Sequence, residues 1–262
     1  MNGSSAPVQL QGGTRPLGPG TALAWSGGKD SAMALHVMGG ASVLLTTVTE
    51  GYERISMHGV RRSLLHSQAR AIGLPLLEVF IPPQCTNAVY EARMSEACKR
   101  LKERGIGSVA FGDLLLADVR AYRENQMARA GMQAQFPLWG RDTGAVAREF
   151  LRAGFRAVVV CVDLARLDGS WAGREFDEAF LKALPAGVDP CGENGEFHTF
   201  VYDGPVFAQP VAFRRGAVVV RDGFAFADLL DEPAGGTLAF ASGTGGHAAA
   251  LGGRQGDALR CR

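Results

Sequence analysis

The feature that most constrains this chain is a glycine turn placed between a strand and a helix. An apolar run from Thr21 to Trp25 leads into Ser26-Gly27-Gly28-Lys29-Asp30-Ser31, and a helix-like run from Ala32 to Met38 follows. Strand, glycine turn and helix together aim backbone N–H groups and a helix N-terminus at an anion. Gly27 and Gly28 let the backbone approach a ligand closely. Lys29 adds a positive charge, and Asp30 can hold a magnesium ion that also binds phosphate oxygens. Ser26 and Ser31 supply hydroxyls, and Ser31 or Asp30 suits a helix cap. The common phosphate loop needs four residues between its first glycine and Gly-Lys-Ser/Thr, and that spacing is absent. The three-glycine dinucleotide pattern is absent too. A plain glycine turn with a capped helix is the alternative.

Downstream, strand and helix patterns alternate. Ser42–Thr49 is a continuous apolar strand pattern, and Val60–Ile72 is a helix pattern stopped by Gly73 and Pro75. Leu76–Ile81 is a strand, Asn87–Arg104 a long amphipathic helix, and Ser108–Phe111 a short strand ending at Gly112-Asp113. Asp118–Ala130 is helical and Gln135–Trp139 is the fifth strand. This alternation predicts an α/β fold with a doubly wound, parallel, five-stranded Rossmann-like sheet. Ligands of such sheets lie beyond the carboxyl ends of the strands. The 26–31 loop, the segment after Thr49 and Gly112-Asp113 fall there.

After Thr143 the pattern changes. Thr143–Ala153 and Phe176–Leu184 are helical, and Phe155–Val162 is strongly apolar. Glu196–Tyr202, Val206–Phe213 and Ala217–Arg221 suggest hairpins, with Asp203-Gly204-Pro205 as a turn. The expected division is a disordered lead-in over 1–20, a nucleotide-type sheet over 21–142, a smaller α+β domain over 143–230 and a disordered tail over 231–262. Arg61-Arg62 suits a solvated helix start.

A second dense stretch is Asp189-Pro190-Cys191-Gly192-Glu193-Asn194-Gly195-Glu196-Phe197-His198-Thr199. If a strand starts at Glu196, then Glu196 and His198 share a face. With Glu193 they can hold an amine, orient ammonia or move a proton. A solvated polar loop is the alternative, and for Cys191 a small buried thiol is the alternative to a nucleophile.

Composition narrows the function classes. Over 262 residues the formal net charge is +1, with 20% charged and 47% hydrophobic residues. No general nucleic-acid-binding surface is implied, and no apolar run approaches the ~20 residues of a membrane span. The N-terminus lacks a secretion pattern, so a cytoplasmic protein is expected. The five cysteines form no C-x-x-C pair or disulfide framework.

The Ser26–Ser31 loop resembles the PP-loop of the ATP pyrophosphatases. From about Thr21 to Phe207 the chain also resembles the diphthine–ammonia ligase family, also called the ATP-binding domain 4 family. The resemblance rests on Ser26–Ser31, Met57-His58, Gln68-Ala69, Gly73–Leu76, Gly112-Asp113, Arg123-Glu124, Pro137-Leu138-Trp139 and Cys191-Gly192-Glu193 with Gly195-Glu196. The last segment departs from the family's Glu-Gly-Gly-Glu-Tyr-Glu-Thr pattern: Asn194, Phe197 and His198 replace Gly, Tyr and Glu, as in bacterial members. Bacteria do not make diphthamide, so if this is a bacterial member the fold and ATP chemistry carry over while the acceptor does not.

The resemblance implies an ATP-dependent amide ligase. ATP would sit with its β,γ-phosphates on Ser26, Gly27, Gly28, Lys29, Asp30 and Ser31, with magnesium at Asp30. Adenine would lie near Thr47, and His58, Gly112 and Asp113 would complete the nucleotide site. A carboxylate acceptor, a small molecule or a modified protein side chain, would be adenylated and then attacked by ammonia. Asp30, Lys29, Glu193 and Glu196 would carry the chemistry. The rival readings are a non-catalytic ATP- or AMP-binding module and a PP-loop sulfur transferase acting on tRNA.

Overall fold

A computed structural model describes residues 7–11, 20–51, 54–55 and 59–232. The expectations for His58, the tail beyond Glu232 and most of the lead-in lie outside the described residues.

The chain runs β1 (Val8–Gln11), β2 (Gly20–Ala24), α1 (Lys29–Met38), β3 (Val43–Thr49), β4 (Arg54–Ile55), α2 (Arg62–Ile72) and β5 (Leu76–Ile81). It continues through α3 (Asn87–Glu103), β6 (Ile106–Ala110), α4 (Ala117–Arg129) and β7 (Gln133–Gln135). The first sheet has the order β1-β5-β3-β2-β6-β7. Its five strands from β5 to β7 are parallel, as the alternating pattern predicts, while β1 and the short β4 pair antiparallel to β5 and β3.

Both faces of the central strands are covered, which is why β3 and β5 are mostly apolar and buried. Successive residues point to opposite faces. Leu44 enters one core with Trp25, Met33, Leu64 and Leu65. Val43 and Leu45 enter the other with Met94, Leu101 and Met127. The chain builds outward from β2 through β3 to β5, then returns to the far side of β2 for β6 and β7. That reversal puts the switch point at the carboxyl end of β2, where residues 26–31 begin.

The second part contains α5 (Thr143–Arg152), β8 (Arg156–Asp163), a 3-10 turn (Gly169–Trp171), α6 (Glu178–Ala183), β9 (Phe197–Asp203), β10 (Phe213–Arg221) and β11 (Phe224–Asp231). Its antiparallel sheet has the order β10-β11-β8-β9. Its core (Phe150, Phe155, Val158, Phe176, Phe200) is continuous with the Trp25 face of the first sheet. No helix among the described residues is long and apolar enough to cross a membrane.

Four expectations are corrected. Val8–Gln11, placed in a disordered lead-in, adds an edge strand to β5. The fifth parallel strand is Gln133–Gln135 rather than Gln135–Trp139, because Pro137 offers no N–H to the ladder. Residues 206–212 form a connection, not a strand. It follows Pro205, contains Pro210 and is pinned by Ala208 N to Ala71 O at 2.7 Å and Val211 N to Tyr202 O at 2.7 Å. The hairpin instead joins β10 to β11, which runs through Asp231 into the region expected as tail.

Candidate active site

The glycine loop is held in place by the second half of the chain. Gly27 has φ +80°, a conformation open to glycine at little cost. Its carbonyl accepts Val201 N of β9 at 2.9 Å and Gln68 Nε2 of α2 at 3.0 Å. Gln68 is fully buried. Its Nε2 also donates to Val201 O at 2.6 Å, and its Oε1 accepts Trp25 Nε1 at 2.9 Å. One amide thus joins β2, the loop, α2 and β9. Lys29 N, at the start of α1, donates to Thr199 Oγ1 at 3.0 Å. Within the loop, Gly28 N donates to Ser26 Oγ at 3.2 Å and Ser31 Oγ donates to Gly28 O at 2.9 Å. Gly112, at the end of β6, lies against the same turn: a Cβ there would sit 2.9 Å from the Asp30 carbonyl carbon.

The charges gather around Lys29, which is 4% exposed. Its Nζ donates to Asp30 Oδ2 at 2.9 Å and to the Cys191 carbonyl, and lies 5.5 Å from the Phe197 ring centre. Burial opposes its charge, but Asp30, Cys191 and Glu193 outweigh burial and hold its pKa above the ordinary lysine value. Asp30 is pushed up from the usual carboxylate value by burial, then by Asp113 and Asp189, with Lys29 opposing. Asp30 Oδ1 is buried without a hydrogen-bond partner. Glu193 reaches across to the end of β6, where Oε2 accepts Leu114 N at 3.2 Å and Leu115 N at 3.3 Å. Burial and then Asp30 push Glu193 up to about 7, against Lys29 and those two amides.

Glu196 sits three residues away in a different setting. It is 1% exposed. Its Oε1 accepts Asp189 N at 3.1 Å and Asn194 Nδ2 at 3.0 Å, and its Oε2 accepts Asn194 N at 3.0 Å. Burial would raise its pKa, but these bonds outweigh burial and lower it. Asp189 does similar work: Oδ1 accepts Cys191 N at 2.7 Å and Glu193 N at 3.3 Å, while Oδ2 accepts Thr143 Oγ1 at 2.7 Å. The two carboxylates shape the 189–196 loop, and that shape aims Glu193 and the Cys191 carbonyl at the glycine loop. The Cys191 thiol is buried, donates to Thr143 O at 3.2 Å, and is pushed up by burial. This is the setting of an inert thiol. The strand starts at Phe197, so Glu196 belongs to the loop and does not share a strand face with His198. His198 is pushed down to about 4 by burial and by Lys29.

Asp113 is gripped by Arg123, with Nε to Oδ2 at 2.7 Å. The Arg123 guanidinium in turn lies 4.5 Å from the Phe111 ring centre. Thr47 is half-buried on β3 opposite Val79. Arg61 and Arg62 are not merely solvated. Arg61 pairs with Asp228 at 2.7 Å, and Arg62 makes bonds of 2.7 and 2.8 Å to the fully buried Glu78. The structure therefore brings Ser26–Ser31, Gly112, Asp113 and Glu193 together and assigns Glu196 to loop building. Gln68 is the residue that local patterning missed.

Comparison with known proteins gives a consistent result. The family model described as diphthamide synthase N-terminal domain matches residues 20–134, and the diphthamide synthase C-terminal domain matches residues 142–219. The human diphthine–ammonia ligase is 30% identical over 140 residues, covering 51% of this chain and 52% of that protein. The Danio rerio protein of the same name is 28% identical over 176 residues, covering 62% and 69%. The one from Schizosaccharomyces pombe is 26% identical over 217 residues, covering 74% and 36%. The chain spans about half the length of the human, bovine and rat relatives it matches.

Proposed function

The chain belongs to the diphthamide synthase family, and from that premise we propose that it is an ATP-dependent ligase joining ammonia to a carboxylate. The carboxylate attacks the α-phosphorus, and the bond to pyrophosphate breaks. Ammonia then attacks the activated carbonyl carbon, and the bond to AMP breaks. The relatives are named for diphthine; for this chain the acceptor is a carboxylate on a small molecule or a modified protein side chain. We also propose a cytoplasmic location, where ATP and ammonium are both at hand.

The backbone of Ser26–Ser31 receives the phosphates at the switch point, with Gly112 keeping the space beside Asp30 clear and adenine lying toward Thr47. Asp30 is the magnesium ligand, and its buried, unpartnered Oδ1 fits that role. A magnesium ion held there would neutralise charge on the phosphates. Lys29 stays charged and holds the 189–196 loop against the site through the Cys191 carbonyl. Glu193 takes the proton released as ammonium becomes the nucleophile. A base with a pKa near 7 is suited to that transfer at neutral pH. Asp113, set by Arg123, adds negative charge beside Asp30.

The observation that carries this reading is Asp30 Oδ1, bare and buried at the mouth of a loop that otherwise satisfies itself. The test is to incubate the protein with magnesium ATP, ammonium and cell extract and to measure AMP and pyrophosphate. Ammonium- and extract-dependent AMP is expected, and it should vanish in Asp30→Asn while the melting temperature holds. ADP and phosphate as products would overturn the α-phosphate chemistry. Full activity in Asp30→Asn would overturn the metal role.

A further inference from the structure

Among the described residues, the strands at the ends of the two sheets are not alike. β9 is covered by α1 and the glycine loop, through Val201 N to Gly27 O. β1 and β7 are four and three residues long. β10 is nine residues long and forms the outer edge of the second sheet. Its Val218, Val219 and Val220 are 49%, 54% and 65% exposed. Edge strands are ordinarily kept short, charged, bulged or covered, because a bare edge invites pairing. The irregularity of β10 lies between Arg215 and Val218, and among the described residues no strand pairs with the outer side of Val218, Val219 and Val220.

The turn tells which backbone groups are free. Asp222 (φ 52°) and Gly223 (φ 81°) form a two-residue loop with positive φ at both positions, so Arg221 and Phe224 close it as a hydrogen-bonded pair. By alternation Val219 bonds toward Phe226 of β11, and the N–H and C=O groups of Val218 and Val220 point outward.

We propose that this edge is a homodimer interface in which two copies pair β10 antiparallel about a two-fold axis at Val219. The result is one continuous eight-stranded sheet. A two-fold perpendicular to a sheet sets residues of the same face opposite each other, so the pairing centres on Val218, Val219 or Val220. Centring on Val218 brings Arg221 toward Arg215 of the second copy, and like charges directly opposite are destabilising. Centring on Val220 sets Val218 against the Asp222 turn. Centring on Val219 exchanges both outward hydrogen bonds between Val218 and Val220, packs Val219 on itself, and sets Arg221 beside Ala217. The surface is self-complementary in that register, as an isologous contact requires. The inference is independent of the proposed ligase chemistry.

Val219→Cys in the full chain tests it directly. In a non-hydrogen-bonded antiparallel pair the Cα atoms lie ~4.5 Å apart, within disulfide reach. Mild oxidation should yield a covalent dimer for Val219→Cys and not for Val218→Cys or Val220→Cys alone, since those two positions face each other. Sedimentation equilibrium of the wild-type chain should show a dimer, and Val219→Lys should abolish it with the far-UV spectrum unchanged. A wild-type chain that stays monomeric at its highest soluble concentration would overturn the proposal. So would a dimer that survives Val219→Lys, or cross-linking that is equal at all three positions.

Discussion

Two junctions tie the halves of this molecule together, and they are built from opposite materials. At the inner junction, Gln68, Gly27 and Val201 share short hydrogen bonds, Lys29 N donates to Thr199 Oγ1, and Gln68 and Thr199 are buried side chains. At the outer junction, Arg54 and Arg61 converge on Asp228 with side chains 22–36% exposed, and Ser63 donates to Asp231. The inner one fixes the loop that would hold phosphate. The outer one fastens the entrance to α2 onto β11. A buried group that loses its partner cannot recover the bond from water, whereas an exposed one can. Unequal sensitivity to mutation is therefore the signature of this pair of junctions.

The sharpest way to break the comparison is Gln68→Leu. It leaves the Gly27 and Val201 carbonyls and the Trp25 indole short of partners, and on the order of 2–4 kcal/mol of stability should be lost. Urea unfolding measures this, and a loss below about 1 kcal/mol would erase the distinction.

Next comes Glu193→Gln, read through pH. The folded pKa of Glu193 is raised to about 7, so the folded state prefers its protonated form. That contribution is complete below the unfolded value of about 4.3 and is lost as pH rises through 7. The wild type should lose on the order of 3 kcal/mol relative to Glu193→Gln across that window. Parallel stability–pH curves for the two would refute the shift.

A smaller effect, about 1 kcal/mol, is expected for Thr199→Val, which removes the acceptor of Lys29 N while keeping the shape. In the ligase assay it should raise the KM for ATP more than it lowers kcat. Smallest is Asp228→Ala, at roughly 0.2–1 kcal/mol per exposed pair, and this effect should shrink in 1 M salt. A larger, salt-independent loss would mean that the outer junction is built like the inner one.

The parts of the fold legible in the sequence are those fixed locally. Apolar runs such as Val43–Thr49 and Leu76–Ile81 announce buried parallel strands, and Gly73 with Pro75 announces the end of α2. Residues 26–31 were legible because a strand, two glycines and a helix start are neighbours in the chain. Long-range pairing was not legible. Val8–Gln11 is a strand only because β5 offers an edge about 70 residues later. Val206, Phe207 and Val211 carry strand-like apolarity but serve as plugs for a connection, with Phe207 and Val211 buried. At the site, Glu193 and Glu196 have the same chemistry and nearly the same neighbours in sequence. Their roles diverge because Asn194 and the Asp189 amide close on one of them. Gln68 is bonded across 41 and 133 residues, and no local pattern encodes that reach.

The bond from Lys29 N to Thr199 Oγ1 spans 170 residues, and this has a consequence for the chain as it is made. A ribosome extending at about 5–20 residues per second adds that length in roughly 10–30 s. Once Gln135 has been added the first sheet has all its parallel strands, yet until Thr199 and Val201 follow its glycine loop lacks the partners that set its shape. The nascent chain must therefore finish β9 before its loop is ready for a nucleotide. A translation product that stops short of Thr199 would carry the whole signature of residues 26–31 and lack the support that makes it a site.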